Sequence, residues 1–301
     1  MHIVNICFSP TGGTQRTADM LIQAMAARST AIDLSDWQIP FSTLSLQEDD
    51  VAVIVVPSYG GRVPQPAVDR LSAINGNHAR AILICVYGNR AVEDALVELQ
   101  DTAEAAGFHV VAAISAIARH SIVHEIAAGR PDAQDQKTLS EFAGQIKKKL
   151  DACDRSVPSI PGSRPYKNRG VLAMLPKPDQ HCTACGTCAE RCPVQAIDRN
   201  DPARMDADLC ISCMRCVAVC PHAARKADEE HLAAVRAMRL GQRVFHPWRN
   251  FRIDLACQQT ALFHRAQISG QYLLRDIAHR ALQRGHLHFP CIVLSSAIIQ
   301  P

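Results

Sequence analysis

Val51-Ala52-Val53-Ile54-Val55-Val56-Pro57 runs without a polar residue and is followed at once by Ser58-Tyr59-Gly60-Gly61-Arg62. A strand with one wet face alternates polar and apolar residues, whereas a strand covered on both faces does not. The run therefore reads as a central strand of a parallel sheet. Working outward from it, Ala79–Tyr87 and Val110–Ile117 repeat the signature, and His2–Phe8 is a further strand candidate. Helical spacing fills the intervals. Thr14–Arg28 follows the first strand, and Val92, Leu96, Leu99 and Ala103 recur at helical spacing within Val92–Ala106. Leu139–Leu150 ends in Lys147-Lys148-Lys149, cations well placed at a helix C-terminus. Strand and helix in that rhythm imply an α/β fold over residues 1–150, a doubly wound parallel sheet. Such sheets hold ligands outside the carboxyl ends of their strands, where the strand order reverses.

The loops at that edge carry the relevant chemistry. Ser9-Pro10-Thr11-Gly12-Gly13-Thr14 joins the first strand to the first helix. Backbone N–H groups at a helix start and the hydroxyls of Ser9, Thr11 and Thr14 suit a phosphate, and Gly12 and Gly13 let the backbone approach it. The turn lacks the Gly-Lys-Ser/Thr ending of nucleoside triphosphate loops and lacks G-x-G-x-x-G. With no lysine nearby, neutral donors would hold the anion, which suits the monoester phosphate of FMN better than ATP. A plain strand-to-helix turn is the competing reading. Tyr59-Gly60-Gly61 and Tyr87-Gly88-Asn89 end the two following strands, so two tyrosines can flank a planar isoalloxazine while free N–H groups meet its polar edge.

The chain has 301 residues and thirteen cysteines. Cys7, Cys85, Cys153, Cys257 and Cys291 are scattered; the other eight crowd between Cys182 and Cys220. Cys182, Cys185, Cys188 and Cys192 are followed by Pro193, and Cys210, Cys213, Cys216 and Cys220 by Pro221. This is C-x2-C-x2-C-x3-C-P present twice, the ligand run of [4Fe–4S] clusters. Three thiolates on a tight loop converge on one cuboidal cluster, and the fourth cysteine, opening a helical turn that faces away, serves the other. Cys182, Cys185 and Cys188 should thus pair with Cys220, and Cys210, Cys213 and Cys216 with Cys192. Structural zinc also uses C-x2-C pairs, but it requires neither the interior third cysteine nor the C-x3-C-P ending.

A formal net charge of +3 gives no general reason to expect nucleic acid as a partner. No apolar run is long enough to span a bilayer and no secretory leader is visible, so the chain reads as cytoplasmic, where thiols stay reduced. Residues 151–177, rich in Pro, Gly, Ser and Arg over Ser156–Lys177, read as a linker. Residues 229–301 hold nine arginines, six histidines and no lysine. Within them His231–Leu240 has the spacing of a short helix, and Phe289–Ile299 is an apolar run without context. A basic surface for an acidic redox partner, a poorly ordered extension and an altered reading frame are the readings of this segment.

The cysteine block resembles the dicluster bacterial ferredoxins over Pro178–Ala227, and Pro193-Val194-Gln195-Ala196-Ile197 matches their segment after the fourth ligand. Residues 1–150 resemble the flavodoxin-like fold. The whole arrangement is similar to the flavodoxin–ferredoxin fusion family, with a small α+β ferredoxin domain at 178–228. The resemblance matches Ser9, Thr11, Gly12, Gly13 and Thr14 to the phosphate loop, and Tyr59, Gly60, Gly61, Tyr87, Gly88 and Asn89 to the flavin-edge loops. Ala118-Arg119-His120-Ser121 also looks like a family segment, with His120 either near the flavin or structural. It implies FMN, two [4Fe–4S] clusters and redox protein partners, with no catalytic side chain needed. Electron transfer is the leading expectation. A flavin-dependent reductase fed by the clusters, an FMN and iron–sulfur oxidoreductase, is the second; a ferredoxin with a flavin-free docking domain is the third.

Overall fold

In chain order the first half forms β1 (His2–Cys7), α1 (Gly13–Met25), β2 (Arg28–Asp33), β3 (Val51–Pro57), α2 (Gln65–Ser72), β4 (Arg80–Tyr87), α3 (Ala95–Ala105), β5 (His109–Ile117) and α4 (Ala133–Asp151). The structure is a computed structural model that describes residues 1–170, 174–229, 232–233, 235–237 and 252–254. All of these lie in one compact unit, Met1–Ala256. The five strands are parallel in the order β2-β1-β3-β4-β5. The order reverses between β1 and β3, which places the crevice expected of a doubly wound sheet at their carboxyl ends.

The unbroken apolar runs follow from cover on both faces. Val4, Ile6, Ala52, Ile54 and Leu83 pack on one side with Leu71, Leu96 and Leu99, whereas Ile3, Val51, Val53 and Ile82 pack on the other with Leu21, Phe142 and Ile146. Each fully buried Val, Ile or Leu among them contributes about 1.5–3 kcal/mol relative to exposure.

Three elements depart from the sequence reading. The first helix stops at Met25, not Arg28, because Ala26 turns left-handed at φ 52° and the chain enters β2. That edge strand is exposed along most of its length, so it carries no burial pattern to read. The helix expected at Leu139 begins six residues earlier, set by the Asp132 carboxylate, which accepts from the Gln134 and Asp135 amides at 2.9 and 3.0 Å. Its polar first turns hid it. Residues 151–177 are no free tether. The Ser163 and Lys167 amides donate to Asp94 at 2.9 and 2.8 Å, Arg164 and Tyr166 meet Asp101, and Arg169 meets Glu98 at 2.6 Å. Asp94, Glu98 and Asp101 are spaced to share one face of α3, and the cations of the strap answer them.

The cysteine-rich segment forms β6 (Lys177–Pro178), α5 (Thr187–Glu190), α6 (Arg215–Ala218) and β7 (Arg225–Lys226), with β6 and β7 antiparallel. Its backbone repeats with its sequence. Left-handed residues fall at Ala184, Gly186 and Gln195, and again 28 positions on at Ser212, Met214 and Ala223. A last strand, β8 (Arg252–Asp254), adds antiparallel to β5, so part of the C-terminal segment joins the sheet. Residues 232–233 and 235–237 are helical, inside the short helix expected there. Phe289–Ile299, Cys257 and Cys291 lie outside the described residues. Among the described residues no helix is long and apolar enough to cross a membrane.

Candidate functional site

The two cysteine runs interleave. One small cavity is lined by Cys182, Cys185, Cys188 and Cys220, and a second by Cys192, Cys210, Cys213 and Cys216. Each quartet therefore takes three thiols from one run and the last thiol of the other. The fourth thiols accept backbone N–H groups in the same way: Ala196 N donates to Cys192 Sγ and Ala224 N to Cys220 Sγ, both at 3.3 Å. Burial pushes the Cys213 thiol up to about 12 and the Cys216 thiol up to about 11. Thiolates at such positions need strong positive charge beside them, which bound iron would supply. The thiols encircle each cavity; no three His, Cys, Asp or Glu among the described residues gather tightly enough for a single ion. Cys182 and Cys185 are exposed, whereas Cys192, Cys213 and Cys216 are buried. Cys7 and Cys85 are core thiols of β1 and β4, pushed far up by burial.

A cavity of about 270 Å³ opens at the carboxyl edge of the sheet. Thr11, Gly13, Thr14, Tyr59, Gly60, Gly61, Tyr87 and Gly88 line it, so most of the residues chosen from sequence converge there. Ser9, Gly12 and Asn89 do not line it but shape its loops. Ser9 Oγ accepts from Gln15 N at 2.9 Å, while Gly12 at φ 87° and Asn89 at φ 56° turn their loops through the left-handed region. α1 carries no side-chain cap at Gly12, and with Gln15 N taken by Ser9 Oγ the amides of Gly13 and Thr14 are those placed for a ligand. Tyr59 and Arg62 exchange backbone hydrogen bonds at 2.9 and 3.2 Å around Gly60 and Gly61, both at positive φ. This is a tight two-residue turn that only glycine-like residues enter easily. The Tyr59 hydroxyl is pushed well above the ordinary tyrosine value, by burial first and by the nearness of Cys213 second.

Ala118, Arg119, His120 and Ser121 complete the rim. His120 Nδ1 accepts from the Ile122 and Val123 amides at 3.2 and 3.0 Å, so the neutral ring carries its proton on Nε2. The ring rests on Gly88, where an added Cβ would come within 2.4 Å of it. Gly88→Ala should therefore displace His120 from the rim. The expected result is weakened binding of added FMN with little change in thermal stability, measured by fluorescence titration of flavin-depleted protein; unchanged affinity would remove this loop from the site.

Signals that sequence reading missed come from beyond residue 170. Met174 and Ser212, each 3% exposed, line the large cavity together with Val235, and Ser212 Oγ donates to the Met174 carbonyl at 2.9 Å. Ser212 sits between Cys210 and Cys213 and also lines the second cysteine cavity. Arg215 of α6 reaches the Ser9 and Pro10 carbonyls at 3.5 Å. Trp37 Nε1 donates to the Glu190 carbonyl at 3.1 Å and stacks under Arg199. The cysteine-rich segment is thus docked directly on the loop edge of the sheet.

A doubly wound sheet is thus joined to a segment whose eight cysteines gather in two quartets. Residues 181–225 match the 4Fe-4S dicluster domain family. The match covers the cysteine-rich segment and leaves the α/β half before it outside. No curated protein matches the chain. Among solved structures, a flavodoxin from the domain Archaea is 14% identical, covering 50% of this chain and 99% of its own at a TM-score of 0.37. The Streptococcus pneumonia TIGR4 flavodoxin is 17% identical, over 49% of this chain and 97% of its own, at 0.34. An oxidoreductase from Corynebacterium diphtheriae is 14% identical, over 50% and 97%, at 0.39.

Proposed function

We propose that this protein is an electron carrier that relays electrons between FMN, held at the loop edge of the sheet, and two [4Fe–4S] clusters held by the cysteine quartets. The observation that carries this reading is Ser212, a single buried residue that lines both the large cavity and the second cysteine cavity. One wall separates the two sites, and electron transfer weakens steeply with distance. FMN supplies a centre that exchanges one or two electrons, and the clusters supply centres that exchange one each.

The chain's own residues then have defined parts. Thr11, Thr14 and the open amides at the start of α1 bind the phosphate through neutral donors. Tyr59 and Tyr87 hold the ring system, and the Nε2–H of His120 stands at the rim as a fixed donor. Cys192, Cys210, Cys213 and Cys216 hold the cluster next to this cavity, and Cys182, Cys185, Cys188 and Cys220 hold the outer one. The exposed Cys182 and Cys185 make the outer quartet the face for redox protein partners. Reduction of a small molecule is the less favoured reading, because Met174, Ser212 and Val235 take up part of the wall a substrate would need.

Protein purified without oxygen should hold about eight irons, about eight sulfides and one flavin per chain. Electrons delivered to the clusters should reach the flavin without a diffusing mediator, seen by stopped-flow absorbance. Full iron content with no flavin would reject the relay and leave a ferredoxin with a docking domain. Zinc in place of iron would reject both.

A further inference from the structure

The two cysteine runs repeat 28 residues apart, and the segments behind them repeat as well: Ala196 returns as Ala224, but Ile197 returns as Arg225. Ile197 is 4% exposed and packs with Cys188, Cys192 and Cys216. Arg225 is 3% exposed. A guanidinium is therefore buried where the other half of the repeat buries a hydrocarbon.

Its surroundings do not neutralise it. Nη1 donates to the Pro202 carbonyl at 2.6 Å and to Cys188 Sγ at 3.6 Å. Nε and Nη2 have no hydrogen-bond partner among the described residues, and no carboxylate among them pairs with Arg225. A buried cation left in that state costs several kcal/mol unless negative charge lies beside it. The side chain lines the cavity of Cys182, Cys185, Cys188 and Cys220. Its strand β7 also packs on α6, the element that carries Cys216 of the other quartet. Cys188 and Cys216, the third cysteines of their runs, pack in one cluster, so a cation touching Cys188 lies near an equivalent ligand of the other site.

We infer that Arg225 is a shared counter-charge for the two cluster sites, stabilising their reduced forms and raising both reduction potentials, that of the Cys188 site most. The inference rests on the two-cluster reading above. Each cluster would accept one electron from an external one-electron donor and gain one negative charge, with no bond made or broken. The buried guanidinium favours that added charge by Coulomb attraction in a poorly screened interior.

The test is an anaerobic redox titration with dithionite, followed by electron paramagnetic resonance, on the full chain and on Arg225→Ile, Arg225→Gln and Arg225→Lys. Isoleucine restores the residue of the other half-repeat; glutamine keeps a donor for Pro202 without the charge. Both neutral variants, loaded with about eight irons, should show lower potentials at both sites. At the Cys188 site the equilibrium constant for reduction should fall at least tenfold, about 59 mV for one electron. Arg225→Lys should lie between these and the parent. Neutral variants that load fully and titrate unchanged would overturn the role of Arg225. Iron well below eight in the parent chain would overturn the two-cluster reading instead. Loss of iron from the glutamine variant but not the lysine variant would itself place the needed charge at the clusters.

Discussion

Cys213→Ser is expected to halve the iron, from about eight to about four per chain, and to cut off the flavin from electrons that enter through the clusters. Cys213 is buried, close enough to Tyr59 to act on its hydroxyl, and directly follows Ser212 of the shared wall. A serine hydroxyl there offers a hard, protonated oxygen in place of a thiolate, so the inner quartet loses a ligand at its least replaceable point. Cys185→Ser is the informative counterpart. Cys185 is exposed and belongs to the outer quartet, where Thr187 Oγ1 lies 3.4 Å from its sulfur. Its loss should also remove about four irons, yet the inner cluster and flavin should still exchange electrons when a small reductant reaches them. The pair separates the order of the sites from their mere presence. Iron analysis, with stopped-flow absorbance of flavin reduction, reads both effects. Equal behaviour of the two variants would reject the inner and outer assignment, and an undiminished flavin rate in Cys213→Ser would reject the route through the shared wall.

The sequence carried the parts of this arrangement whose physics is local. Two-face burial makes strands such as Val51–Pro57 unmistakable, and thiolate spacing at Cys182–Cys192 and Cys210–Cys220 is a geometric statement about clusters. The loops at Ser9–Thr14, Tyr59–Gly61 and Tyr87–Asn89 could be placed on one edge because a parallel sheet gathers its strand-to-helix loops there. What stayed hidden depends on contacts distant along the chain. Exposed β2 has no pattern to read. Met174 and Ser212 become walls of the large cavity only when the cysteine-rich segment docks, and nothing in their local sequence announces it. Residues 151–177 showed the composition of a tether, since Pro, Gly and Ser dominate. The decisive feature was instead the matching of Arg164, Lys167 and Arg169 to acids of α3 and the loop before it, some seventy positions earlier.

That match makes Glu98 the residue whose loss should cost the fold most. Its carboxylate is 3% exposed and accepts from Arg62 Nε at 2.8 Å, Arg62 Nη2 at 2.7 Å, the Val63 amide at 2.8 Å and Arg169 Nη2 at 2.6 Å. Arg62 is correspondingly held further into its charged form, chiefly by that hydrogen bond. Glu98→Ala removes the one acid shared by two guanidiniums and strands the Val63 amide as well. Breaking a buried pair from one side costs about 3–5 kcal/mol, mostly because the remaining charge is left uncompensated. Urea unfolding of the flavodoxin-like half should shift by that amount. Glu98→Gln, which keeps two acceptor positions at most through one oxygen, should fall between. The consequence reaches the proposed function because Arg169 precedes Met174 and the cysteine-rich segment. Loosening it should slow electron exchange between clusters and flavin even where both remain bound. A shift under about 1 kcal/mol would mean that water or another acid takes over the guanidiniums, and that the strap is held by Asp94 and Asp101 instead.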